Sequence, residues 1–215
     1  MTGKCRLTLM AADPGYRRRA GLNMDRCRSS RADPPQRGSD EPNSGYGNGT
    51  GIDVQTLKGV IHDEAAFARW AGKGADPILN VIGPLFRGDL DAAQTALDRI
   101  GVDAEQKVQF RLRALGADIL RDRGQFAEAV SRYELLLADH AGTSREAVLR
   151  QHLGKVHFAA GDFWAARDAF AAALQLRRAQ GADANLIESS LIALRRADEE
   201  ISRAAQQPQN QVPDS

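Results

Sequence analysis

Apolar residues change their spacing at Asp53. In residues 1–52 they stand singly among Gly, Pro, Ser, Arg and Asp, and turn formers such as Asp33-Pro34-Pro35 and the glycines from Gly45 to Gly51 interrupt any period. Such a stretch buries too little apolar surface to offset an ordering entropy of about 1–2 kcal/mol per residue, so a disordered tail is expected there. After it, Leu57, Val60, Ile61, Phe67, Ala68 and Ala71 recur at steps of three and four or their multiples. That spacing predicts an amphipathic helix capped by Asp53 and ended by Gly72 and Gly74. The last periodic segment, about 184–204, gathers Ile187, Leu191, Leu194 and Ile201 on one face and Glu188, Arg195, Glu199 and Arg203 on another. Residues 206–215 are polar with two prolines and are expected to fray, which leaves 53–205 as the folded body.

Between these two helices the chain repeats itself. Gly88-Asp89-Leu90-Asp91-Ala92-Ala93 returns as Gly124-Gln125-Phe126-Ala127-Glu128-Ala129 and as Gly161-Asp162-Phe163-Trp164-Ala165-Ala166, with the leading glycines 36 and 37 residues apart. A fixed period of this size marks stacked helix pairs. Each glycine suits a left-handed C-terminal cap between two helices. Asp89 and Asp162 suit the N-caps that follow, Asp76-Pro77 reads as a cap with a first-turn proline, and Asp103, Ser144 and Asp183 are further cap candidates. Ala93, Ala129 and Ala166 are small enough for close helix approach, and Leu97, Tyr133 and Phe170 one turn later fill the space between units. Gly83-Pro84 falls inside a predicted helix and predicts a kink or split between Asn80 and Pro84.

The run Leu153-Gly154 through Gly161, Ala166, Phe170, Ala173 and Leu174 resembles the tetratricopeptide repeat, and the likeness extends over roughly residues 74–180. It implies an all-α, right-handed solenoid of antiparallel helix pairs, about three repeats with a terminal helix at each end. In that family the first helix of each pair lines a concave groove that receives a peptide or helix of another protein. The register set by the three glycines then implies inward-facing Ala75, Ile78, Ile82 and Leu85, then Arg111, Ala114, Asp118 and Arg121, then Val148, Gln151, Lys155 and Phe158. Ile78 and Leu85 are equally suited to packing on the preceding helix. The family's grip on a C-terminal carboxylate needs amides and strong cations where this chain has Ile78, Ile82, Leu115, Val148 and His152, so that specificity is not implied.

Charge and chemistry change this picture little. The 215 residues carry a net charge of +1, split into nine Lys/Arg against five Asp/Glu in residues 1–50 and twenty against twenty-three in the remainder. Both cysteines, Cys5 and Cys27, lie in the tail, so no disulfide staples the body. The stretch Leu7–Ala12 is too short for a secretory segment, and no apolar run approaches the ~20 residues of a membrane helix. A cytoplasmic protein that does not enter the membrane is expected. His62-Asp63-Glu64 are consecutive and diverge on a helix, His152 and His157 miss the four-residue spacing of helical metal ligands, and Gly72-Lys73-Gly74 lacks a phosphate-loop motif. No catalytic residue, cofactor or metal ligand is therefore expected. Arg17-Arg18-Arg19 with Arg26, Arg28 and Arg31 is interrupted by acidic residues and has no aromatic platform for nucleic acid. With the resemblance, these features point to a non-enzymatic adaptor that binds a protein partner. The alternative is a regulatory protein whose Arg-rich tail contacts nucleic acid while its repeats bind a partner.

Overall fold

The computed structural model describes residues 48–73, 76–100 and 106–206, without the side chains of Gln106 and Lys107. All of these belong to one compact unit, Pro42–Ser215. The expected tails therefore lie outside the described residues, except for 48–52 and Gln206, as do Ala75 and Asp103.

The described chain is mostly helical. A short hairpin of β1 (Thr50–Ile52) and β2 (Gly59–Ile61) precedes α1 (Glu64–Gly72), α2 (Leu79–Phe86), α3 (Leu90–Ile100), α4 (Gln106–Asp122), α5 (Phe126–His140), α6 (Glu146–Ala159), α7 (Phe163–Ala179) and α8 (Ala184–Gln206). From α2 onward each helix packs on the next, and α2, α4, α6 and α8 also touch one another in series.

The hairpin overturns the helix predicted from Asp53. Thr50 pairs with Ile61, Gly51 with Val60 and Ile52 with Gly59 in an antiparallel ladder. Asp53 caps a turn instead of a helix: its Oδ1 accepts from Gln55 N–H (3.1 Å), Thr56 N–H (2.7 Å) and the Thr56 hydroxyl (2.8 Å). The helix spacing was real but competed with β-branched Thr50, Ile52, Val60 and Ile61, which favour a pleated surface. Gly59 lets the hairpin lie close on α2, because a Cβ there would run into the Phe86 ring. The helix begins later, at Glu64, capped by Asp63 through the Ala66 N–H. Glu64 then fastens α1 to the end of α2 through a two-pronged ion pair with Arg87 (2.9 and 2.6 Å).

The glycine caps take the expected form. Gly88, Gly124 and Gly161 have φ of +78°, +77° and +81°. Behind each, the next N–H reaches back five residues: Asp89 to the Pro84 carbonyl (3.0 Å), Gln125 to Leu120 (2.9 Å) and Asp162 to His157 (2.9 Å). This is the six-to-one bond of a Schellman cap. Asp89 and Asp162 cap α3 and α7 through Ala92 and Ala165. At α6 the cap position falls on Arg145 instead of the expected Ser144, and no side chain caps the helix; in the turn before it, the Thr143 carbonyl and hydroxyl accept from the Glu146 and Arg145 N–H groups. Asp76 Oδ1 accepts from Ile78 N–H (3.1 Å), as the cap predicts, but regular helix starts only at Leu79. No split occurs at Gly83-Pro84: α2 is one helix of eight residues containing Pro84. Its shortness explains the tolerance, since the proline forfeits one bond near the end of a short element.

Ala93, Ala129 and Ala166 are fully buried, as are Tyr133 and Phe170. The core falls into clusters along the stack. One joins Ala117, Tyr133, Leu136, Leu149 and Val156; another joins Val81, Leu85, Ala93 and Ile119; the third joins Phe158, Ala166, Phe170, Ala193 and Ala197 with Leu57 of the hairpin.

Candidate binding groove

Where α2, α4 and α6 meet, the stack leaves a cavity of about 160 Å3. Its apolar walls come from Ile78 and Ile82 on one side, Phe110, Ala114 and Leu115 of α4, and Val148 and Leu149 of α6. Phe110 is held in place by the Arg145 guanidinium 4.4 Å above its ring and by the edge of His140. Polar atoms gather at the floor, where Asp118, Tyr133 and His152 reach the cavity. Asp118 accepts from Arg121 Nη1 (2.7 Å), the Tyr133 hydroxyl (2.9 Å) and His152 Nδ1 (3.1 Å). A carboxylate only accepts, so His152 Nδ1 carries the hydrogen of this contact.

The electrostatics of this floor follow from its burial. Burial alone would raise the Asp118 pKa, but the Arg121 charge and then His152 override it and hold the carboxyl well below the usual range. Burial opposes the charge of Arg121 as well, and Asp118 and Asp122 more than restore it. Burial and the neighbouring Asp118 push the Tyr133 phenol upward. Lys155 goes the other way: burial first, then the Arg121 charge, lowers it from 10.5 to about 8. It has no hydrogen-bond or ion-pair partner among the described residues.

Of the twelve positions that the glycine register selects, Ala75 lies outside the described residues, Leu85 is buried in the core and Lys155 lines neither this cavity nor the second one beside the hairpin; the other nine fall in three places. Ile78, Ile82, Arg111, Ala114, Asp118 and Val148 line the cavity, although Ile78 is only 1% exposed and Arg111 is paired with Asp76 at 2.7 Å. Arg121 and Phe158 lie apart from it, on a second cavity of about 430 Å3 whose opposite wall is Gln55, Thr56 and Lys58 of the hairpin. Arg121 is also consumed internally, with Nη1 on Asp118 and Nε on Asp122 (2.9 Å), so its guanidinium is not offered to a ligand. Gln151 lines neither cavity; it is 2% exposed and its Oε1 accepts from Ser190 of α8 (2.8 Å). Phe110 and Leu149 escaped the register because each is the sequence neighbour of a position it selects, and the apolar stripe of a core-facing helix is wider than one residue per turn. The Tyr133 hydroxyl announces itself chemically, since a buried phenol needs a partner.

No protein-family model, curated protein or solved structure matches this chain. Among the described residues, no three His, Cys, Asp or Glu side chains stand close enough to share a metal ion, and no helix is long and apolar enough to cross a membrane.

Proposed function

We propose that this chain is a non-enzymatic adaptor whose helix pairs form a right-handed, tetratricopeptide-like solenoid, and that it binds a helix or extended segment of a protein partner along α2, α4 and α6. The 36- and 37-residue spacing, the repeated glycine caps and the serial contact of the even-numbered helices support the solenoid. One observation carries the binding function: six residues chosen by repeat register, on three separate helices, converge on a single cavity. Its volume of about 160 Å3 suits one ring-sized apolar side chain, comparable to a roughly 150 Å3 engineered cavity that accepts benzene. Apolar walls with the polar groups of Asp118, Tyr133 and His152 at one end suit Leu, Phe or Tyr as the anchor.

Selection of displayed peptides against the full chain tests this. Selected binders should carry such an anchor and lose at least tenfold in affinity, about 1.4 kcal/mol, when Ala114→Trp fills the cavity or Val148→Glu places a charge at its edge. Val148 is 36% exposed, so the second variant should keep the parent's melt. Binders indifferent to both substitutions would rule the cavity out as the site.

A further inference from the structure

We infer that the hairpin tip Gln55–Lys58 is an internal occupant of the groove, and that the surface beneath it takes a partner segment bearing a branched apolar side chain followed by a cation. The inference rests on the groove function proposed above and identifies the ligand of its second half. Arg121 and Phe158 hold register positions expected to face a ligand, and in this fold they face Gln55, Thr56 and Lys58 instead. Two side chains do the seating. Leu57, 1% exposed, joins the cluster of Phe158, Ala193 and Ala197, which brings together α6 and α8. Lys58 Nζ stands 3.5 Å from Asp122 Oδ1 at the end of α4, a carboxylate whose side chain is 7% exposed.

The fit of the tip is imperfect in ways that leave room for a competitor. Leu57 holds φ at +57°, the left-handed region that a branched side chain avoids, so its backbone is held there by the burial of its own side chain. Three residue pairs make up the hairpin ladder, too few to be stable without the stack. A cavity of about 430 Å3 remains between tip and stack. Arg196 lines it, with its guanidinium 5.6 Å from the Phe158 ring centre, and its buried Nε has no acceptor. An extended partner segment with the same Leu-Lys chemistry supplies both side-chain contacts in a relaxed backbone, and its carbonyls offer the acceptor that the tip does not.

The test uses the full chain and a labelled synthetic peptide of residues 48–62. Amide hydrogen exchange at Asp53 and Leu57 should run at least tenfold faster than at Val156 in α6, because the hairpin opens while the stack stays folded. The peptide should bind the Lys58→Glu chain at least tenfold more tightly than the parent, and a peptide carrying Leu57→Asp should bind neither. Exchange at Asp53 and Leu57 no faster than in α6, or a peptide that fails to distinguish the two chains, would overturn the inference and make the hairpin a permanent part of the core. Neither measurement depends on the first cavity, so the Ala114→Trp and Val148→Glu variants test the groove itself separately.

Discussion

At the scale of single residues, the middle of the stack is a crowded ionic site. Asp118 and Asp122 face Arg121, and Lys155 joins them without a hydrogen-bonded partner among the described residues. The register could assign Arg121 to a face, but not foresee that Asp118, one turn earlier, and the adjacent Asp122 would saturate it. Competition among neighbours is invisible to a rule that counts residues one at a time. Lys155 shows the consequence. Its pKa is lowered from 10.5 to about 8, so between these values the unfolded chain holds a proton that the folded chain has released. Stability therefore rises with pH across that window, and below pH 8 the whole cost of the buried charge is present. For a half-buried ammonium that cost is about 1–3 kcal/mol. Lys155→Met should raise stability at pH 7 by about this amount and abolish the gain between pH 8 and 10, as read from urea unfolding at each pH. A variant less stable than the parent at pH 7 would show that the ammonium is attracted, not penalised, where it sits.

At the scale of elements, glycines distinguish close packing from open helix. Gly154 lies in α6 where an added Cβ would meet the Phe170 ring at 2.5 Å, and Phe170 is fully buried between α6 and its neighbours. Gly116 lies in α4 where the same atom would meet Leu97 Cδ2 at 3.4 Å, an ordinary contact. Alanine is worth about 0.5–1 kcal/mol over glycine in a helix interior, so Gly116→Ala should stabilise the fold by that amount. Gly154→Ala should instead destabilise it by about 1–3 kcal/mol, because Phe170 has nowhere to retreat. Denaturant melts of the two variants should move in opposite directions, and a shared direction would contradict the packing at Gly154. Helices α3 to α8 were legible because each carries several turns of apolar period and has one of Gly88, Gly124, Gly142, Gly161 and Gly181 at an end. The hairpin was not: three-residue strands have no room to display a period of two, and their apolar residues happen to extend the helical spacing of α1. The cavity was half legible, since repeat register finds a face but not the width of its stripe.

At the scale of the whole molecule, the folded body begins earlier than its period does. A boundary at 53 follows from where apolar spacing becomes regular, yet Thr50 is buried, Ile52 packs beside the Leu57 cluster, and the Gly49 carbonyl accepts from both His62 N–H (2.9 Å) and Asp63 N–H (3.1 Å). Gly49 is itself fixed in place: its φ is +81°, and a Cβ there would stand 2.3 Å from the Asp63 carbonyl oxygen. Cutting the chain at 53 removes the whole of β1 and the carbonyl that accepts both of those hydrogen bonds, leaving the backbone of β2 without its ladder partner and the Leu57 turn tethered at one end. Burial of a Val, Leu or Ile side chain is worth about 1.5–3 kcal/mol, and a hydrogen bond about 0.5–1.5 kcal/mol net. Ile52 is only half-buried, so the loss should total about 2–4 kcal/mol. A fragment of residues 48–206 should therefore unfold in urea as one cooperative helical unit, and the fragment 53–206 should unfold at clearly lower urea with the same helical signal. The slope against urea should fall slightly in the shorter fragment, because less surface remains to be exposed. Equal midpoints for the two fragments would mean that β1 rests on the stack without supporting it. Loss of the helical signal on cutting at 53 would mean the reverse, that the helices do not hold together without the hairpin that crosses from α2 to α8.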